Sequence, residues 1–179
     1  VDSNGYFYSS TAQFLASNYK LDEVEKELGA QIERAIHSGL KIDYVDYHMG
    51  TAMSTPEMRA IVEKLAKKYG LAISHYFGEQ YKTMFEIPVA KKQEVFFDHL
   101  QHLDPKGVGL MIFHVSKFDP EMQALIDMNS PDMQAVNNEP IVAIHRSTEL
   151  KILLSKEFQD MVKKGKVKLV TYKDLIRDN

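Results

Sequence analysis

The sequence contains no cysteine. Disulfides, thiolate nucleophiles, zinc fingers and iron–sulfur ligand sets are thereby excluded, and any bound metal must be held by nitrogen and oxygen. Glycine and proline are sparse, at nine and six residues, while hydrophobic residues reach 44% against 26% charged. That balance excludes collagen-like and disordered chains and fits a folded globular one. Long hydrophobic runs are missing too. The longest, such as residues 108–115, fall far short of the roughly 20 residues that cross a bilayer, and no signal-peptide pattern opens the sequence. A soluble chain without a membrane partner is expected, in the cytoplasm or exported. There is no basic excess either: 22 Lys and Arg against 25 Asp and Glu leave a net charge of -3, which argues against nucleic acid as a partner.

What is present is enough for one core. A length of 179 residues predicts a single domain over 1–179. Val1 is not an initiator methionine, and residues 1–8 read like the interior of a longer sequence, so an N-terminally incomplete domain is expected.

Along the chain, helical and strand periods alternate. Asp22 with Glu25 forms a candidate capping box, followed by Val24, Leu28, Ile32 and Ile36 at four-residue spacing, with Gly39 as the stop. Residues 41–48 switch to a period of two and predict a strand. Thr55-Pro56 predicts a capped helix with Met58, Ile61, Val62, Leu65 and Tyr69 on one stripe, closed by Gly70. A second strand is expected over 71–77, a helix over 91–103, and a doubly covered strand over 108–115. A short helix at 121–128, a polar loop at 129–138, helices at 141–154 and 156–163, a strand at 167–172 and a terminal helical turn complete the pattern. This order implies an α/β fold with right-handed parallel crossovers, either a doubly wound sheet or a (β/α) barrel. Four strands are half of an eight-stranded barrel, which typically takes about 250 residues.

Residues with chemistry gather at strand ends. Asp46 and His48 lie two residues apart near the carboxyl end of the first strand, about 6.6 Å along it and facing the same way. Ligands bind at that end in parallel α/β folds. The plain alternative is that Asp46 caps the next turn and His48 is a polar strand end. His114 closes an apolar strand, where an imidazole is a candidate proton donor or acceptor; a hydrogen bond to a loop carbonyl would account for it equally. Both imidazoles are expected at the same rim of one sheet. His75 has no partner at ligand spacing; His99 and His102 share a helix three residues apart, where Leu100 and Leu103 make a packed, partly exposed helix the better reading; and His37 lies near a helix C-terminus, where a cation suits the dipole. Arg146 and Glu149 read as a surface i, i+3 pair, with a buried arginine orienting a catalytic carboxylate as the alternative.

Asp46-Tyr47-His48-Met49-Gly50-Thr51, flanked by Ala30-Gln31-Ile32-Glu33-Arg34-Ala35, Thr55-Pro56-Glu57 and Leu65-Ala66-Lys67-Lys68-Tyr69-Gly70-Leu71, resembles the YdjC-like carbohydrate deacetylase family. Val1-Asp2 with Gly5-Tyr6-Phe7, His114, Arg146 with Glu149-Leu150, and residues 169–175 extend the resemblance over nearly the whole chain. It implies a distorted (β/α) TIM-like barrel, of which this chain would supply the C-terminal half or more. It also implies removal of an N-acetyl group from an amino sugar with a divalent metal, magnesium or zinc. The family holds that metal through an Asp of an N-terminal Asn-Ala-Asp-Asp motif, a His from a following strand and the His of Asp-x-His-Met-Gly, of which only the last is here, as His48. His114 would inherit the general-acid role, although Val115-Ser116 replace the family's Pro-Gly, and Tyr44 stands where many members have His. Asp46 would orient His48 or an adjacent group, and Arg146 would support a catalytic group from behind.

The expected partner is an N-acetylated carbohydrate. Competing readings are a catalytically silent carbohydrate-binding domain and another metal-using barrel such as a sugar isomerase or epimerase. An open half-barrel would expose sheet edges and apolar surface, so a homodimer is expected.

Overall fold

The computed structural model describes residues 1–127 and 139–177. In chain order the elements begin with α1 (Thr11–Leu15), α2 (Leu21–His37), β1 (Tyr44–Val45), a 3-10 segment (His48–Met53), α3 (Pro56–Tyr69), β2 (Ala72–Ile73), β3 (Gln80–Thr83) and α4 (Lys92–Gln101). They continue with β4 (Gly109–Ile112), α5 (Pro120–Gln123), α6 (Ile141–Leu153), α7 (Lys156–Lys163) and α8 (Tyr172–Arg177). The fold is mixed α/β, and both strand pairs are parallel: β1 with β2, and β3 with β4. Among the described residues these are two separate two-stranded sheets rather than a closed barrel. No described helix is long and apolar enough to cross a membrane.

Two compact units form, one from Val1–Tyr76 with Thr171–Asn179, the other from Phe77–Val170. In the first, α3 follows its sequence closely. Thr55 Oγ1 accepts the Met58 N–H at 3.2 Å, Pro56 sits at the first turn, and Gly70 ends the helix in the left-handed region at φ 67. Its buried stripe is Met58, Ile61, Val62, Leu65 and Ala66. Against it packs α2, whose buried Gly29 leaves only 3.7 Å between an added Cβ and Leu65. The capping box expected at Asp22 does not form. The helix starts two residues earlier, with Lys20 at the cap and no side-chain bond, so Asp22 falls inside the first turn, where its charge suits the helix dipole. Glu25 instead pairs with Lys64 of α3 at 2.6 Å. The register of β1 and β2 sets Tyr44 beside Ala72 and Val45 beside Ile73. Val62, Ala66 and Ile73 form the core here, with Leu28, Val45, Tyr47, Ala52 and Met53 packed on it.

The second unit is built on Met84, Phe96, Phe97 and Ile152, joined by Met111, Phe113, Phe158 and Met161. Phe96 meets Phe97, Phe113 and Phe158 edge to face, with ring centroids 5.1 to 5.6 Å apart, an arrangement that adds to plain area burial. Several expectations shift. The strand predicted over 71–77 stops at Ile73, because His75 turns the chain at φ 64. Gln80–Thr83 is a strand that its mostly polar residues did not advertise, and residues 167–172 form no strand, α8 starting at Tyr172. The short helix expected at 121–128 is Pro120–Gln123; Met128 and the loop at 129–138 lie outside the described residues.

Candidate functional site

In the first unit the two parallel strands end on chemistry. Asp46 and Ser74 each follow their strand by one residue, and the Ser74 N–H donates to the Val45 carbonyl at 3.0 Å, carrying the ladder one step further. Ser74, only 2% exposed, donates its hydroxyl to Asp46 Oδ1. Exposure alternates as the period of two predicts: Tyr44, Asp46 and His48 are exposed, Val45 and Tyr47 half-buried. Asp46 and His48 therefore share the open face, but the hydrogen bond of Asp46 goes to Ser74. His48 then opens the 3-10 segment, which kinks at Met49 (φ 55) and Gly50 (φ 72). Past the end of β2, His75 holds φ 64, its N–H reaches the Tyr172 hydroxyl at 3.4 Å, and its ring lies 5.2 Å from that of Tyr47. Left-handed backbone at a non-glycine residue costs roughly 1–3 kcal/mol, and such residues cluster at binding and catalytic sites. Among the described residues, both non-glycine instances, Met49 and His75, come after the carboxyl ends of this strand pair.

In the second unit His114 comes two residues after β4, half-buried, its ring 5.2 Å from that of Phe85. Its main-chain N–H donates to Glu149 Oε2 at 2.6 Å, and the other oxygen of Glu149 meets Lys92 Nζ at 2.6 Å. Lys92 Nζ also donates to the Met84 carbonyl, just past β3. The expected surface pair of Arg146 and Glu149 is thus overturned. Glu149 turns inward to Lys92 and the His114 amide, whereas Arg146 Nη1 lies 4.0 Å from Met122 Sδ and its carbonyl accepts the Ser116 N–H at 3.4 Å. One turn before Glu149, His145 buries Nδ1 without a hydrogen-bond partner. Burial, and then the nearby Lys92 ammonium, hold its pKa below the usual histidine value, opposed by Glu149.

His48 and His114 thus each stand just past the carboxyl end of a parallel strand, but in two different strand pairs rather than at one sheet's rim. Lys92, Ser74 and His145 carried no usable signal. Lys92 sits beside Lys91 in what reads as a solvated helix start, and its partner Glu149 is 57 residues away, so no local spacing could pair them. Among the described residues no three His, Asp or Glu side chains gather as a metal-ligand group. The described residues do not by themselves fit a divalent-ion site, and the chemistry they carry is that of imidazoles and carboxylates.

The buried ion pair has a direct consequence for stability. Lys92→Met leaves the Glu149 carboxylate charged and uncompensated in the interior, which costs about 3–5 kcal/mol. Urea unfolding should show a much lower midpoint than wild type; an unshifted midpoint contradicts the pairing.

A family model described as YdjC-like protein matches residues 1–164. The Carbohydrate deacetylase 1 of Listeria innocua is 26% identical over 98% of this chain and 69% of its own length. The Carbohydrate deacetylase of Listeria monocytogenes serotype 4b (strain F2365) is 25% identical over the same shares. That of Brevibacillus brevis is 29% identical over 86% of this chain and 62% of its own length.

Proposed function

The chain belongs to the YdjC-like protein family, and from that premise we propose that it is a carbohydrate deacetylase: a hydrolase removing the N-acetyl group from an amino sugar or short oligosaccharide. What carries this assignment is the family match along residues 1–164, together with relatives that bear the activity in their names. The placement of two imidazoles beyond the carboxyl ends of parallel strands supports it, since that is where α/β folds bind ligands. Residues 1–179 are proposed to lie in one distorted (β/α) barrel domain.

In the reaction, water oxygen adds to the acetamide carbonyl carbon, the C–N bond breaks, and acetate and the free amine leave. The departing nitrogen needs a proton, and His114 is the proposed donor. Its backbone is pinned from two directions by α6: the Glu149 carboxylate takes its own N–H, and the Arg146 carbonyl takes that of Ser116 two residues on. Asp46 is proposed to hold, through its bond with the buried Ser74, the strand end from which His48 projects. His48 is the proposed contribution of this chain to a divalent-ion site for magnesium or zinc, which the described residues do not complete. Elemental analysis of the intact protein, paired with acetate release before and after chelation, tests this. The expected result is a bound divalent metal, with activity lost on chelation and restored by magnesium or zinc. Acetate release that ignores chelation would remove the ion from the account.

A homodimer is also proposed. Two-stranded sheets leave unpaired edges, and Tyr6 and Phe7 are each 70% exposed, features that association covers. Sedimentation equilibrium should return twice the chain mass; the mass of a single chain would end the proposal.

A further inference from the structure

A charged pair sealed from solvent calls for a reason, because apolar residues of similar volume in its place are often neutral or stabilising. The side chains of Lys92 and Glu149 are 0% and 2% exposed. Each makes one further bond to main chain, and each of those bonds lands just past a strand of the same parallel pair. Lys92 Nζ donates to the carbonyl of Met84, the residue after β3, and Glu149 Oε2 accepts the N–H of His114, two residues after β4. One ion pair therefore ties both strand ends together, and the β4 terminus so fixed carries the imidazole of His114. Core packing would be served as well by a Met and a Leu. The backbone tie would not, since neither offers an acceptor to the His114 amide or a donor to the Met84 carbonyl.

We infer that Glu149, held in place by Lys92, is a positioning residue for His114: it fixes the main chain from which the imidazole projects, so that the ring, packed against Phe85, presents one orientation at the strand end. The catalytic part of this inference rests on the deacetylase reading above; the geometric part does not.

The test compares three forms of the intact protein: wild type, Glu149→Gln and the double variant Lys92→Met with Glu149→Leu. For each, kcat and KM for acetate release, the urea midpoint and the proton–carbon resonance of the His114 ring Cε1 are measured. Glu149→Gln keeps an oxygen for the His114 amide but loses the charge that grips Lys92. Its kcat should fall about 10-fold, with KM within about 2-fold of wild type, the pattern of a contact that matters only in the transition state. The double variant removes both charges at once and so leaves no uncompensated buried charge, but it strips the His114 N–H and the Met84 carbonyl of their partners, so its midpoint should fall while the protein stays folded. Its kcat should fall about 100-fold, the upper end of what losing a supporting contact costs, and its His114 resonance should split or broaden. A double variant with wild-type kcat and one sharp His114 line would overturn the inference and leave the pair purely structural. If wild type itself releases no acetate, the deacetylase reading fails separately, and the His114 resonance alone then decides the positioning role.

Discussion

Replacing His48 with alanine in the intact protein is expected to abolish acetate release from an N-acetylated amino sugar while leaving the fold in place. The two halves of this expectation come from different observations. His48 is exposed and opens the kinked 3-10 segment that follows β1. Truncating it removes no core packing, and exposed substitutions of this kind change stability by less than about 0.5 kcal/mol. The loss of activity follows from the role proposed for the imidazole, a ligand in a site that must hold its ion during turnover. Acetate production, metal content and the urea midpoint measured on one preparation separate the two. A variant with an intact midpoint, depleted metal and no acetate meets the expectation; unchanged turnover refutes the assignment of His48.

The second large effect is at His114. A positioned general acid contributes typically about 10²–10⁴-fold in rate, so His114→Ala should lower kcat by that order. The substitution is clean in one respect. The bond to Glu149 is made by the main-chain N–H, so alanine retains the backbone tie while deleting the proton carrier and its contact with Phe85. A leaving-group comparison gives the sharper readout. An N-acetylated substrate whose amine departs readily needs less protonation, so the variant should lose less activity on that substrate than on an amino sugar. Equal losses on both would point to a binding role for the ring, and a loss below about threefold on the sugar would remove His114 from catalysis altogether.

How much of this was legible in the sequence depends on how far the determining contacts lie along the chain. The helix over Pro56–Tyr69 was readable to the residue because Thr55, Pro56 and Gly70 act within a single turn of themselves. The start of α2 was not: the Asp22 side chain can cap only if the chain before it is not helical, and Leu21 is already helical. Strands fared worse, since a strand exists only when a partner ladder meets it. Gln80–Thr83 has one because Gly109–Ile112 runs beside it in parallel, despite a mostly polar sequence. Residues 167–172 carry alternating Val167, Leu169 and Thr171, yet Leu169 stays 66% exposed and no described strand pairs with it.

The candidate site shows the same division. The period of two matches the alternating exposure over residues 44–48, but the strand expected over 41–48 shrinks to Tyr44–Val45 and that expected over 108–115 to Gly109–Ile112, so His48 and His114 fall beyond the strand ends rather than on them. Which strand each of them neighbours is a tertiary fact, and here they belong to separate pairs. The inward turn of Glu149 was hidden for a related reason. Its i, i+3 relation to Arg146 looked like a helix surface pair, while its actual partners, Lys92 and the His114 amide, are 57 and 35 residues distant.

The most direct measurement is the product balance. Intact protein incubated with an N-acetylated amino sugar, and the mixture analysed for acetate, free amine and sugar isomers, should yield acetate and amine in equal amounts. An isomerised sugar formed without acetate, or a sugar bound and returned unaltered, would contradict the account.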